Sequence, residues 1–180
     1  MFILSCERSG STMLRYILDT HSKIVCPGHL YLGSVCESLN CVHLSTIAQI
    51  NENFDSKDKK LFALKEAKDV ITKILDQYMD AKGKQAWCEK TPLNLAYLSL
   101  LESIFPEAQY ICLYRHCMDV VNSSVNMSKY AFLPEYIPYI HRNPGNIVVA
   151  MVENWANKTE RLLKFEKIII NFVLVLSMNR

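Results

Sequence analysis

Near the start of the chain, Arg8-Ser9-Gly10-Ser11-Thr12 brings hydroxyls, a glycine and a guanidinium into one short run. The chemistry such a run can do is to hold an anion. Its side chains are hydrogen-bond donors, and a glycine lets the backbone come close to a phosphate. Arg115 and Ser123, eight residues apart, could place a guanidinium and a hydroxyl on one phosphate if the turn between them folds back. Lys90, in Glu89-Lys90-Thr91-Pro92, supplies another cation. His29, in Pro27-Gly28-His29, supplies a side chain able to act as a base near neutral pH. Each has an ordinary alternative when taken alone. The first run could be a turn with a Ser/Thr helix cap, the Arg115/Ser123 pair a surface arginine and a helix-face serine, and His29 a structural residue. The density of donors beside Arg8 favours a phosphate cradle.

These groups need elements to position them. The apolar run Phe2 to Leu4 reads as a buried strand, and Met13, Leu14, Ile17 and Leu18 recur at helical spacing after the turn. Strand, turn and helix in that order aim backbone N–H groups at an anion. Ala86-Trp87-Cys88 reads as a strand delivering Glu89 and Lys90, and Tyr110 to Tyr114 as a strand delivering Arg115 to a helix containing Val120, Val121, Ser123, Ser124 and Met127. Asp119 reads as that helix's cap. Strands alternating with helices imply a parallel sheet, whose ligands sit beyond the C-terminal strand ends. Three such ends carrying Arg8 to Thr12, Lys90 and Arg115 are explained together by one shared anionic ligand.

The remaining elements are plainer. Ile24 to Cys26 predicts a second short strand, and residues 34–57 a short helix before a loop. From Asp58 to Lys82 a helix is expected with Leu61, Leu64, Ile71, Ile74, Leu75 and Tyr78 on its inward face. A helix over Leu93 to Phe105, a long loop marked by Pro134, Pro138 and Pro144, a helix from Ile147 to Phe165 and a final strand within Ile168 to Leu176 complete the chain.

The first run is not a Walker A loop, which needs two glycines bracketing four residues and then Lys-Ser/Thr. Nor is it a phosphatase loop built on Cys6, because Thr12 stands where that chemistry needs an arginine. Arg8-Ser9-Gly10-Ser11-Thr12 resembles the 5′-phosphosulfate loop of the sulfotransferases that use 3′-phosphoadenosine 5′-phosphosulfate (PAPS). Phe105-Pro106, the strand at 110–114, Arg115, Asp119 and Ser123 resemble that family's 3′-phosphate motif, with Cys117 where proline is common. Trp87-Cys88-Glu89-Lys90-Thr91-Pro92 is similar to the Lys-Thr-Pro segment of its tyrosylprotein-type and bacterial branch.

The resemblance implies an α/β, P-loop-like three-layer fold with a central parallel sheet flanked by helices, and a transferase that moves a sulfuryl group from PAPS, used without a metal, to a hydroxyl or amine acceptor. It implies Arg8, Ser9, Gly10, Ser11, Thr12, Arg115 and Ser123 as the nucleotide seat. Arg8 and Lys90 would neutralise charge on the leaving oxygen. The glutamate base of the tyrosylprotein-like branch falls at His29 here, making His29 the candidate base with Glu37 and Glu89 behind it. The resemblance runs over about residues 2 to 165 and then stops. Lys167 to Arg180 offers a strand-like run without the Tyr-Glu-Asp-Leu motif, further helices or basic loop of the family. A single domain over 1–180, incomplete at its C-terminus, is therefore expected, and the alternative function is a truncated, non-catalytic remnant that at most binds the nucleotide. A P-loop kinase is disfavoured by the missing Walker lysine and by the want of an Asp-ended strand for magnesium.

Composition agrees with one folded domain: 180 residues, half of them apolar, with few glycines and prolines. A net charge of only +2 gives a nucleic-acid partner no global support. No run reaches the length of a membrane span. Seven cysteines, an odd number with no Cys-x-x-Cys, argue against a disulfide framework or zinc site, and the absence of a charged leader before a long apolar core predicts no secretory signal. A cytoplasmic setting is expected. The acceptor is not encoded legibly, although 29–54 and 129–146 are expected to shape its pocket.

Overall fold

The computed structural model of the chain describes residues 1–129, 134–169 and 173–178. Its strands are β1 (Phe2–Ser5), β2 (Ile24–Val25), β3 (Ala86–Trp87), β4 (Tyr110–Arg115) and β5 (Val173–Met178). All pair in parallel: β1 with β4, β4 with β5, and β2 with β3. The two ladders meet at a bridge between Phe2 and Glu89. There the Ile3 N–H donates to the Glu89 carbonyl at 2.8 Å and the Glu89 N–H to the Met1 carbonyl at 3.0 Å. The lateral order is thus β2, β3, β1, β4, β5, which sets β1 and β4 side by side.

Helices α1 (Ser11–Asp19), α2 (Leu32–Ser45), α3 (Ile47–Ile50), α4 (Ser56–Lys82), α5 (Leu98–Ile104), α6 (Cys117–Ser128), α7 (Ile137–Arg142) and α8 (Ile147–Ile168) surround the sheet. The two-residue period of a strand decides the layering. Phe2, Leu4, Tyr110 and Cys112 pack against Leu32, Ala67, Ile71, Leu101 and Leu162 on one face. Ile3 and Ile111 pack with Cys26 and Cys88, against Leu14 and Leu18 of α1, on the other. The Phe2 ring lies 5.5 Å from that of Trp87 and 5.7 Å from that of Tyr110, so the first strand is anchored by aromatic contacts on both neighbours. The result is a mixed α/β fold, a parallel sheet flanked by helices. No helix among the described residues is long and apolar enough to cross a membrane.

Several elements differ from expectation. The inward stripe of α4 is Ala63, Ala67, Ile71 and Leu75, whereas Leu61, Ile74 and Tyr78 are exposed. Small side chains at four-residue spacing let α2 lie close, and that selects the alanines over the larger residues beside them. The short helix expected within 34–57 is α2, which runs for fourteen residues and is followed by the single turn α3. The helix expected over 93–105 divides into a 3-10 turn, Pro92–Ala96, and α5. The proline-marked loop holds a 3-10 turn at Pro134–Tyr136 leading into α7, with Pro138 tolerated in its first turn; residues 130–133 of it lie outside the described residues. The final apolar run does supply a strand, β5, beginning at Val173. All seven cysteines are free thiols.

Candidate functional site

The loop leaving β1 carries two residues in the left-handed region, Arg8 at φ 64° and Gly10 at φ 92°. Gly10 is the N-cap of α1, and no side chain caps that end. The first-turn amides of α1 therefore stay available to a ligand, as an anion seat requires. A side chain on Gly10 would be strained by its φ and would also meet the Sδ and Cε atoms of Met178, 2.9 Å from the Cβ position. Ser9 in the loop and Ser11 at the start of α1 are buried, while Arg8 is exposed.

Because β1 and β4 are neighbours, the loop after one touches the loop after the other. Arg8 Nε donates to Ser123 Oγ at 2.9 Å, and Arg115 Nη1 donates to the Arg8 carbonyl at 3.0 Å. The two anion seats, expected as separate, thus share one wall. Arg115 is steadied further by Asp119 at 3.8 Å and by the Trp155 indole N–H of α8, which donates to its carbonyl at 3.1 Å. The cap of α6 is His116, not Asp119: its ring nitrogen accepts from the Met118 N–H at 3.3 Å.

Lys90 and His29 meet on the opposite wall. Lys90 is buried, and its Nζ lies 2.8 Å from His29 Nε2. An ammonium can only donate, so the neutral imidazole accepts at Nε2 and carries its proton on Nδ1. Burial, then the Lys90 and Arg15 charges, hold His29 below its ordinary 6.5. Burial, then Arg15, lowers Lys90 as well. Beneath them the Glu89 carboxylate is wholly buried and ties three segments together. It accepts from the Thr91 hydroxyl, the Asn94 amide and the Leu30 N–H, the last at 3.2 Å. Thr91 Oγ1 in turn accepts from the Tyr31 N–H at 3.1 Å, and Asn94 Oδ1 from the Gly33 N–H at 3.0 Å. Burial pushes the Glu89 carboxyl up, against the pull of those donors. This carboxylate holds the His29 segment in place and has no free face for an acceptor. Glu37 lies elsewhere, on a separate cavity with Leu95 and Arg161.

A cavity of about 410 Å³ opens between the two walls, lined by Arg8, Gly10, Ser11, Thr12, His29, Lys90, Arg115 and Ser123, together with Glu7, Pro92 and Met127. Arg8, Arg115 and Ser123 also line an adjoining space of about 540 Å³ beside Asn122 and Asn126 of α6. Of the residues singled out for the nucleotide and the chemistry, Ser9 and the two reserve bases, Glu37 and Glu89, stand outside this lining.

A profile described as the sulfotransferase family matches residues 1–169. The chain belongs to the sulfotransferase family. Its relatives include the nodulation protein NoeE of Sinorhizobium fredii, 26% identical over 140 residues that cover 76% of this chain and 33% of that protein. Protein-tyrosine sulfotransferase A of Caenorhabditis elegans is 23% identical over 135 residues, covering 70% and 33%. The sulfotransferase domain from the curacin biosynthetic pathway superposes with a TM-score of 0.64 at 21% identity, covering 98% of this chain and 65% of that one. A second such domain, from the Synechococcus PCC 7002 olefin synthase, gives 0.62 at 23%, covering 98% and 64%. The chain therefore spans about a third of the length of those curated relatives and under two thirds of those solved domains.

One part of the candidate site was missed from the sequence. Lys158 of α8 donates to Glu7 Oε1, Asn154 Nδ2 donates to Glu7 Oε2 at 3.3 Å, and the Cys6 thiol faces the same oxygen at 3.6 Å. Burial draws Lys158 down to about 8. The signal was present: Ala150, Met151, Asn154, Lys158, Leu162 and Phe165 form the buried stripe of α8. Two polar residues on an otherwise apolar stripe need a buried partner.

Proposed function

We propose that the chain transfers a sulfuryl group from PAPS to a hydroxyl or amine acceptor. The single observation that carries this reading is the fusion of the Arg8–Thr12 loop with Arg115 and Ser123 into one cation-rich wall facing Lys90 and His29. The uncapped start of α1 and the left-handed Gly10 suit the 5′ phosphate end, and Arg115 with Ser123 suits the 3′-phosphate. The second space, running along α6, leaves room for the rest of a nucleotide.

The roles divide by position. Arg8 and Lys90 supply positive charge where the donor's phosphate becomes more negative as its bond to sulfur breaks. His29 takes the proton of the acceptor as the new bond to sulfur forms. The Lys90–His29 contact links the two: once Lys90 donates to an anionic ligand, Nε2 is free to accept. The setting of such a protein is proposed to be the cytoplasm.

The pH profile follows with a defined sign. A protonated imidazole cannot act as base, so kcat should fall as pH drops through a His29 pKa held below its ordinary 6.5. His29→Ala should lower turnover and flatten that acidic limb while leaving 3′,5′-adenosine diphosphate affinity within about twofold. An unchanged rate in this variant would remove His29 from the mechanism. A labelled-PAPS turnover assay on the chain decides between enzyme and non-catalytic remnant.

A further inference from the structure

Glu7 is an anomaly in this site. It lines the same cavity as Arg8, Lys90 and Arg115, so a carboxylate stands where an anionic ligand is expected. Like charges in a poorly screened setting repel strongly. The carboxylate is only 5% exposed, and its hydrogen-bond partners among the described residues are Lys158 and Asn154 of α8 and the adjoining Cys6. Lys158 holds Oε1, and Asn154 with the Cys6 thiol holds Oε2. Lys158 is 9% exposed and, among the described residues, pairs with no other acidic group. The other charged neighbours are Arg8, the next residue, and Arg161 on α8, which acts on Lys158 by repulsion.

We propose that Lys158 is a positioning residue that masks the Glu7 charge, so that the loop can present a net positive face to the nucleotide while Glu7 anchors it to α8. This rests on the nucleotide reading above. A pair that merely braced the loop would be harmed by loss of either partner. A charge mask behaves differently, because the damage from losing Lys158 comes from the carboxylate left behind and is undone by removing it.

Calorimetry with 3′,5′-adenosine diphosphate on the full chain tests this, with thermal melting to verify folding. Lys158→Met should weaken binding roughly tenfold or more. Adding Glu7→Gln to Lys158→Met should restore affinity to within about threefold of the unmodified chain, and Glu7→Gln alone should bind several-fold tighter, because the Lys158 charge is then unopposed. A double variant as weak as Lys158→Met, or a Glu7→Gln variant weaker than the unmodified chain, would overturn the mask and leave a brace. Should Lys158→Met fail to fold, Glu7→Gln against the double variant carries the test: tighter binding by the single variant supports the mask, and equal or weaker binding overturns it. If the unmodified chain does not bind the nucleotide, the nucleotide reading falls and the mask with it. Binding with the wrong order of variants sinks the mask alone.

Discussion

Lys90→Ala is expected to lower kcat by two to three orders of magnitude while changing nucleotide affinity far less. Lys90 is buried beside the cavity, with its ammonium held 2.8 Å from His29. A preorganised cation of this kind acts most where charge develops during reaction, and removing one such donor elsewhere costs about 2.7–4 kcal/mol in the barrier. The alanine also removes the group that holds His29 Nε2 before the ligand arrives, so the base should enter the complex less well oriented. Single-turnover rates measured beside calorimetric affinities separate the two effects. A Lys90→Ala variant with kcat within threefold of the unmodified chain would exclude Lys90 from the chemistry.

Glu89→Ala should be the most destabilising single change near the site. It strips the partner from the Thr91 hydroxyl, the Asn94 amide and the Leu30 N–H in a region closed to water. Each buried donor left without a partner costs roughly 1–3 kcal/mol, and the three together are expected to take about 3–5 kcal/mol from folding. That is a large share of the stability of an ordinary domain. Glu89→Gln keeps the shape and part of the accepting capacity, so it should lose less than half as much. Urea denaturation of both variants checks this. A loss below about 1 kcal/mol for Glu89→Ala would mean the network is not the clamp described. Because the network seats residues 30–33, the partially stable glutamine variant should also slow turnover through a displaced His29.

How much of this was legible beforehand depended on whether the signal was local. The β1 loop, Lys90 and the Arg115/Ser123 spacing could be read directly, because each lies on its own strand–helix joint and strand ends follow apolar runs. That the two anion seats face one ligand from adjoining strand ends is part of the sequence expectation; their direct contact is not, because it depends on side-chain reach between loops more than a hundred residues apart, across the parallel β1–β4 pair. Glu89 was read as a reserve base, since nothing in Glu89-Lys90-Thr91-Pro92 announces that Thr91 and Asn94 close over it. The α4 face is read correctly at Leu64, Ile71 and Leu75, but counting large residues adds the exposed Leu61, Ile74 and Tyr78 and passes over the buried Ala63 and Ala67. Asn154 and Lys158 were legible in principle as polar breaks in the stripe of α8.

The most direct test of a shared seat for both ends of one nucleotide is calorimetry comparing 3′,5′-adenosine diphosphate with 5′-adenosine monophosphate. The two ligands differ by the 3′-phosphate alone. Arg115 and Ser123 should favour the diphosphate by about tenfold or more, as expected for charge-assisted hydrogen bonds, and Ser123→Ala should narrow that preference. Equal affinity for the two ligands, or a preference for adenosine triphosphate with magnesium, would contradict it.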